Sequence, residues 1–269
     1  MIDQNSTTLN TSAPNSLTSS ELLPEEELFH PDPEQMLVLL GSENVLERMQ
    51  AARAFCEIQD SRAIPQLIGL LDDTCTLVRV SAAYALGRNP DLSFKFPLQN
   101  SEFSPKLSSP FSIVEYLITK LNDEWNGYVR KGIVWTLGNY RDIRALNPLV
   151  SALKYDISAV RLWAASALGQ LGQTDAITSI TEALIDDRMA GVRSNCAWAL
   201  GKLLLKVSDR SNRNESYQEA VDALINALED PDLGVQGDAK ITLRKLGDPR
   251  GLKVLEKIDY ELGYCDYIP

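Results

Sequence analysis

Residues Ala159–Gly169 read Ala-Val-Arg-Leu-Trp-Ala-Ala-Ser-Ala-Leu-Gly, and the stretch recurs. Val78–Gly87 is Val-Arg-Val-Ser-Ala-Ala-Tyr-Ala-Leu-Gly. Val129–Gly138 is Val-Arg-Lys-Gly-Ile-Val-Trp-Thr-Leu-Gly, and Val192–Gly201 is Val-Arg-Ser-Asn-Cys-Ala-Trp-Ala-Leu-Gly. Worn copies begin at Arg48 and Gln236. With the Arg position set to zero, +3 and +4 are small or apolar, +7 is usually Leu and +8 is Gly in the four good copies. Residues three and four apart share one helix face, so the pattern is the buried stripe of a helix. Small residues on that stripe allow close helix approach, and the glycine is expected to mark a helix end or tight bend.

The spacing sets the architecture. Arg48 to Arg79 is 31 residues, Arg130 to Arg161 is 31, and Arg161 to Arg193 is 32. A fixed period of this size predicts an α-solenoid rather than one globular core. Each unit also has a second apolar segment, such as Ala63–Asp73 or Ala145–Leu153, with Pro65 or Pro148 near its start. Proline is harmless there, because the first helical N–H groups have no partner anyway. The expected fold is therefore all-α, a solenoid of about six helical hairpins over 34–269, with a lone capping helix near Glu34–Leu40. Longer gaps place inserts near 91–110 and 205–216, each between the first and second helix of its unit. Both should emerge from the same edge of the solenoid.

The net charge of −11 is uneven. Residues 1–35 hold seven acids and no Lys or Arg, and Met1 to about Ser20 is rich in Ser, Thr and Asn. Residues 1–33 are expected to be a disordered acidic tail. A mildly acidic body disfavours nucleic acid as a partner. No apolar run is long enough for a membrane span. Cys56, Cys75, Cys196 and Cys265 are scattered, which suits reduced thiols and a cytoplasmic location.

Catalytic options are few. The single histidine is His30, and no phosphate loop or His/Cys cluster is present. No cofactor or metal is expected from these residues. Acids recur at repeat ends, in register with the arginines. Asp73, Asp156 and Asp187 with Arg79, Arg130, Arg161 and Arg193 are expected to form a structural ladder, each acid facing the Arg of the next unit. The aromatic residues are the candidate partner-binding set. Position +5 is Tyr84, Trp135 and Trp198, and Trp163 and Trp125 are close in sequence. Such rings either fill gaps between helices or anchor an interface.

The form Val-Arg-x-x-Ala-Ala-x-Ala-Leu-Gly resembles the short HEAT-like repeats of phycobilin lyases. The resemblance covers about residues 36–259. Two groups carry it. E/F-type bilin lyase subunits of cyanobacteria attach or remove phycobilins, but their aromatics are paired, whereas here Ala85, Thr136 and Ala199 follow single rings. The IaiH-type HEAT-repeat proteins of cyanobacteria are more similar over Arg48–Asp73, Asp123–Gly138 and Met189–Gly201. That resemblance implies a non-enzymatic scaffold for an IscA-type iron–sulfur carrier. The lyase resemblance implies instead a bilin as ligand and a phycobiliprotein as partner.

Overall fold

The computed structural model describes residues 31–90, 112–207 and 214–264. Residues 1–30 of the acidic tail, with His30, the insert near 91–110, residues 208–213 of the second insert and Cys265 lie outside the described residues. Contacts divide the chain at Asp32/Pro33, and the unit from Pro33 onward contains every helix described below.

That unit is an α-solenoid. Among the described residues a lone helix, α1 (Pro33–Leu39), precedes six hairpins. The first helices are α2 (Val45–Ala54), α4 (Thr76–Arg88), α6 (Gly127–Tyr140), α8 (Ser158–Leu171), α10 (Ala190–Leu204) and α12 (Leu233–Leu246). The second helices are α3 (Ile64–Gly69), α5 (Ile113–Asp123), α7 (Leu146–Tyr155), α9 (Ile177–Asp186), α11 (Glu215–Asn226) and α13 (Pro249–Glu261). Successive first helices pack on one another from α2 to α12, and α7, α9, α11 and α13 form the neighbouring layer.

Local chemistry explains where the helices begin. Asn126 caps α6 by accepting from Tyr128 N and Val129 N, and Asp232 does the same for α12 with Gly234 N and Val235 N. Ser112 and Glu115 form a reciprocal capping box on α5. Such side chains satisfy amides that no helical carbonyl can reach. Pro65 and Pro249 occupy the first turns of α3 and α13. Met36 on α1 and Leu40 just after it are buried, and α1 covers the first hairpin by packing on α2.

The +8 glycines correct one expectation. Gly87, Gly138, Gly169 and Gly201 do lie in the last turns of α4, α6, α8 and α10, near the helix ends, but within the helix and not at a bend. Left-handed ends fall instead at Gly172 and Gly247, and at Arg141. The +8 glycines are there for proximity. A Cβ on Gly138 would stand 2.7 Å from Ala167 Cβ, and one on Gly169 would stand 2.8 Å from the Trp198 ring. Hydroxyls complete these junctions: buried Thr136 donates to Ala83 C=O at 2.6 Å, and buried Thr242 to Ala197 C=O at 3.1 Å.

Gly237, within α12, has nothing within 4 Å of its would-be Cβ. Gly237→Ala is therefore expected to raise stability by about 0.5–1 kcal/mol, since glycine weakens a helix interior. A urea titration checks this, and a lowered midpoint would contradict it.

A candidate docking face on the first helices

Two side-chain systems run the length of the solenoid. One is a ladder along the turns that join each second helix to the next first helix. Arg48 Nε meets Asp73 at 2.7 Å, Arg79 Nε meets Glu124 at 3.0 Å, and Arg161 Nε meets Asp187 at 2.6 Å. Arg193 Nε meets Asp230 at 2.7 Å, and Arg130 pairs with Asp156. Each acid thus closes its own repeat. The backbone of the same acid serves the next one. Arg79 donates to Asp73 C=O at 2.9 Å, Arg130 to Glu124 C=O at 3.0 Å, Arg161 to Asp156 C=O at 3.0 Å and Arg193 to Asp187 C=O at 2.8 Å. Gln236 ends the series on Asp230 C=O at 2.6 Å.

This geometry corrects the expected pairing. The carboxylates of Asp73 and Asp187 do not meet Arg79 and Arg193; their carbonyls do. The physical reason is the tight turn. Each of these carboxylates also accepts the amide two residues on, Cys75 N or Met189 N, which ties it into the turn with its remaining oxygen on the arginine of its own repeat. Three members escaped the sequence reading: Arg48, Glu124 and Asp230. A usable signal exists, since an acid stands six residues before Arg79, Arg130, Arg193 and Gln236. Asp72, beside Asp73, has separate work, accepting from Tyr116 Oη at 2.6 Å and from Lys120.

The ladder makes the fold acid-sensitive. Burial pushes the Asp73 and Asp187 carboxyls up, but the guanidinium hydrogen bond, the backbone amide and the flanking arginines outweigh it and hold both below the usual range. The hydrogen bond from Arg193 leads the same downward shift at Asp230. A carboxyl lowered on folding stabilises the native state above its unfolded pKa, and that stabilisation disappears as pH falls through the folded value. The melting temperature is thus expected to be level from pH 7 to about 5 and to drop below about pH 4. Melts recorded in stepped buffers check this; a level profile down to pH 3 would contradict it.

The second system is aromatic and lies on the first helices. Trp135 and Tyr84 belong to neighbouring repeats, and their rings stand 5.3 Å apart at 50°. Arg88 lies over the Trp135 ring at 5.7 Å, Lys131 over Trp163 at 5.4 Å and Lys202 over Trp198 at 5.5 Å. Each distance is within the range of a cation–π contact. All four rings are partly buried. The inner edges of Trp135 and Trp198 fill the space above Gly87 and Gly169 of the preceding repeat, so the rings also serve packing. Trp125 does not join them. It is 81% exposed in the turn ahead of α6, on the ladder edge, where Glu124 and Asn126 are held by the turn itself.

Charge follows the same division. Apart from the five ladder arginines, the six first helices carry seven Lys or Arg against two acids, Glu47 and Asp238. The six second helices carry ten acids against five bases. A basic, aromatic layer therefore backs onto an acidic one. Sequence-wide charge concealed this, because first and second helices alternate along the chain. Among the described residues no three His, Cys, Asp or Glu side chains assemble as a metal-ligand set. Nor is any described helix long and apolar enough to cross a membrane.

The chain is similar to several known proteins. It is 26% identical over 148 residues to deoxyhypusine hydroxylase of Candida glabrata; the match spans 54% of this chain but only 45% of that protein. The CpcE–CpcF complex of phycocyanin lyase from Nostoc sp. is similar in structure, with a TM-score of 0.56 at 21% identity, over 88% of this chain and 85% of that one. A designed armadillo repeat protein in complex with the peptide (KR)4 gives a TM-score of 0.54 at 21% identity, over 80% of this chain and all of that one. At these identities the structural likeness speaks for the fold. The family model for HEAT repeats matches residues 33–93 and 114–201, more than half of the chain. With its paired helices, its arginine ladder and this match, the chain belongs to the HEAT-repeat family.

Proposed function

We propose that this HEAT-repeat chain is a non-enzymatic scaffold that holds a protein partner on its first-helix layer. The observation that carries the reading is the run of partly buried rings with cations over them, spread across repeats two to five. Neighbouring helices are spaced by about 8–10 Å, so the run is longer than one small-molecule pocket and suits a polypeptide surface. Large rings on such surfaces carry much of the energy of protein association. The resemblance of Arg48–Asp73, Asp123–Gly138 and Met189–Gly201 to IaiH-type proteins names an IscA-type iron–sulfur carrier as the partner to test. Any cluster would travel on the carrier.

The test is capture of a purified IscA-type carrier by the full chain, quantified by calorimetry. Trp135→Ala with Trp198→Ala is expected to weaken capture at least tenfold, at about 1–2 kcal/mol per anchor. Helical content should be unchanged by circular dichroism. Undiminished capture would contradict the assignment of the face.

One observation favours a second reading, a phycobilin lyase subunit. The Tyr84–Trp135 pair with Arg88 offers a stacking surface and a cation for a propionate. Stoichiometric uptake of phycocyanobilin by the purified chain, followed by transfer to an apo-phycobiliprotein, would overturn the scaffold reading.

A further inference from the structure

From the cation–ring couples and the division of charge between the two layers, we infer that the first-helix layer docks an acidic polypeptide segment bearing apolar side chains. The inference rests on the scaffold reading and adds the chemistry of the bound segment. Arg88, Lys131 and Lys202 each stand over a tryptophan, and none pairs with a carboxylate among the described residues. This is unlike most bases of the solenoid. Arg62, Arg144 and Arg250 each hold two acids, and the five ladder arginines are all paired. On a chain with more acids than bases, cations gathered on one layer without an ion pair among the described residues are unexpected. They leave three sites where a carboxylate gains a partner without breaking an existing ion pair.

The rings set the rest of the specificity. Trp135 and Trp198 keep one edge in the packing over Gly87 and Gly169, Trp163 packs against the core, and each of the three has a cation over one face. Leu or Phe side chains would cover the apolar ring surface while neighbouring Glu or Asp meet the cations. Docking would then bury apolar area and neutralise charge together. A nucleic acid is also anionic, but a typical protein on duplex DNA neutralises roughly 6–10 phosphates, and these couples offer three cations. The net charge of −11 and the ten acids of the second helices also repel an extended polyanion at long range.

The experiment is fluorescence anisotropy with the full chain and a labelled peptide alternating glutamate with leucine and phenylalanine. Saturable binding that weakens as salt is raised is expected. The same peptide with glutamine for glutamate should bind about tenfold more weakly, the sum of three modest ion pairs. R88Q, K131Q and K202Q together should cost the same factor while leaving the helical content by circular dichroism unchanged, since Arg88 and Lys202 are exposed, Lys131 is half-buried and none belongs to an ion pair among the described residues. Equal affinity for the glutamate and glutamine peptides, or unaltered binding by the triple variant, overturns the inference. Tighter binding of oligothymidylate than of the glutamate peptide overturns it in favour of a nucleic-acid surface. The two readings separate on the carrier. If the wild-type chain and the triple variant capture it equally, the scaffold reading stands and this inference falls. If no carrier is captured but glutamate-dependent peptide binding is lost in the triple variant, this inference stands and the choice of partner falls.

Discussion

Replacing Arg161 by alanine is expected to lower stability by roughly 2–4 kcal/mol, a large share of what a domain of this kind possesses. Three hydrogen bonds vanish at once. Nε and Nη2 reach the two oxygens of Asp187 at 2.6 and 2.8 Å, and Nη1 reaches Asp156 C=O at 3.0 Å. The Asp187 side chain is only 8% exposed and would be left without its cation. Its backbone-held orientation, through Met189 N, prevents it from swinging out to water. Arg144→Ala is the control. Arg144 pairs with Asp142 and Glu115 but is 43% exposed, and its loss is expected to cost less than about 1 kcal/mol. Thermal and urea unfolding of both variants checks the contrast. An unchanged melting temperature in Arg161→Ala would remove the ladder from the account of stability.

Gly138→Ala is the second large effect, expected at about 2–3 kcal/mol after allowing for alanine's better helix propensity. The added methyl would sit 2.7 Å from Ala167 Cβ and 2.8 Å from Ala167 Cα. The second atom belongs to the main chain of α8, so no rotamer change relieves the clash. The two helices must move apart, and the junction between repeats three and four loosens along its length. Because each repeat touches only its neighbours, the damage should appear as earlier separation of the two halves. Hydrogen exchange on α6 and α8 compared with α12 reads that directly; uniform protection would contradict it.

Much of the fold was legible because the period is written in large print. Arg48, Arg79, Arg130, Arg161 and Arg193 mark five repeats, and the apolar stripe at +3, +4 and +7 fixes which side of each first helix is buried. The site was less legible. Side-chain types predicted a ladder of arginines and acids, but not which acid meets which arginine, nor that an acid uses its carboxylate on one repeat and its carbonyl on the next. The role of the +8 glycines was misread, because a glycine letter looks the same whether it serves a turn or a close approach. Trp125 was grouped with the other rings by proximity in sequence, and a three-residue turn separates it from them in space. The couples of Arg88 with Trp135 and Lys131 with Trp163 join different repeats, so only the packing register reveals them.

The ladder also dictates where this protein tolerates added length. The connections that carry it, from each second helix to the next first helix, are two or three residues long once the single 3-10 turns Leu70–Asp72 and Ala227–Glu229 are counted with the helices they extend. An arginine that must touch both the residue five or six before it and an acid one hairpin later leaves no slack for another residue. The connections on the opposite edge are free of this duty. That edge spans 24 residues between α4 and α5, ten between α10 and α11 and nine between α2 and α3, while the other hairpins need five or two. A grafted loop, an affinity tag or an inserted domain belongs at the Pro90–Ser112 connection, where the chain already departs from its period. The same graft between Asp187 and Ala190 would divide the molecule at its seam.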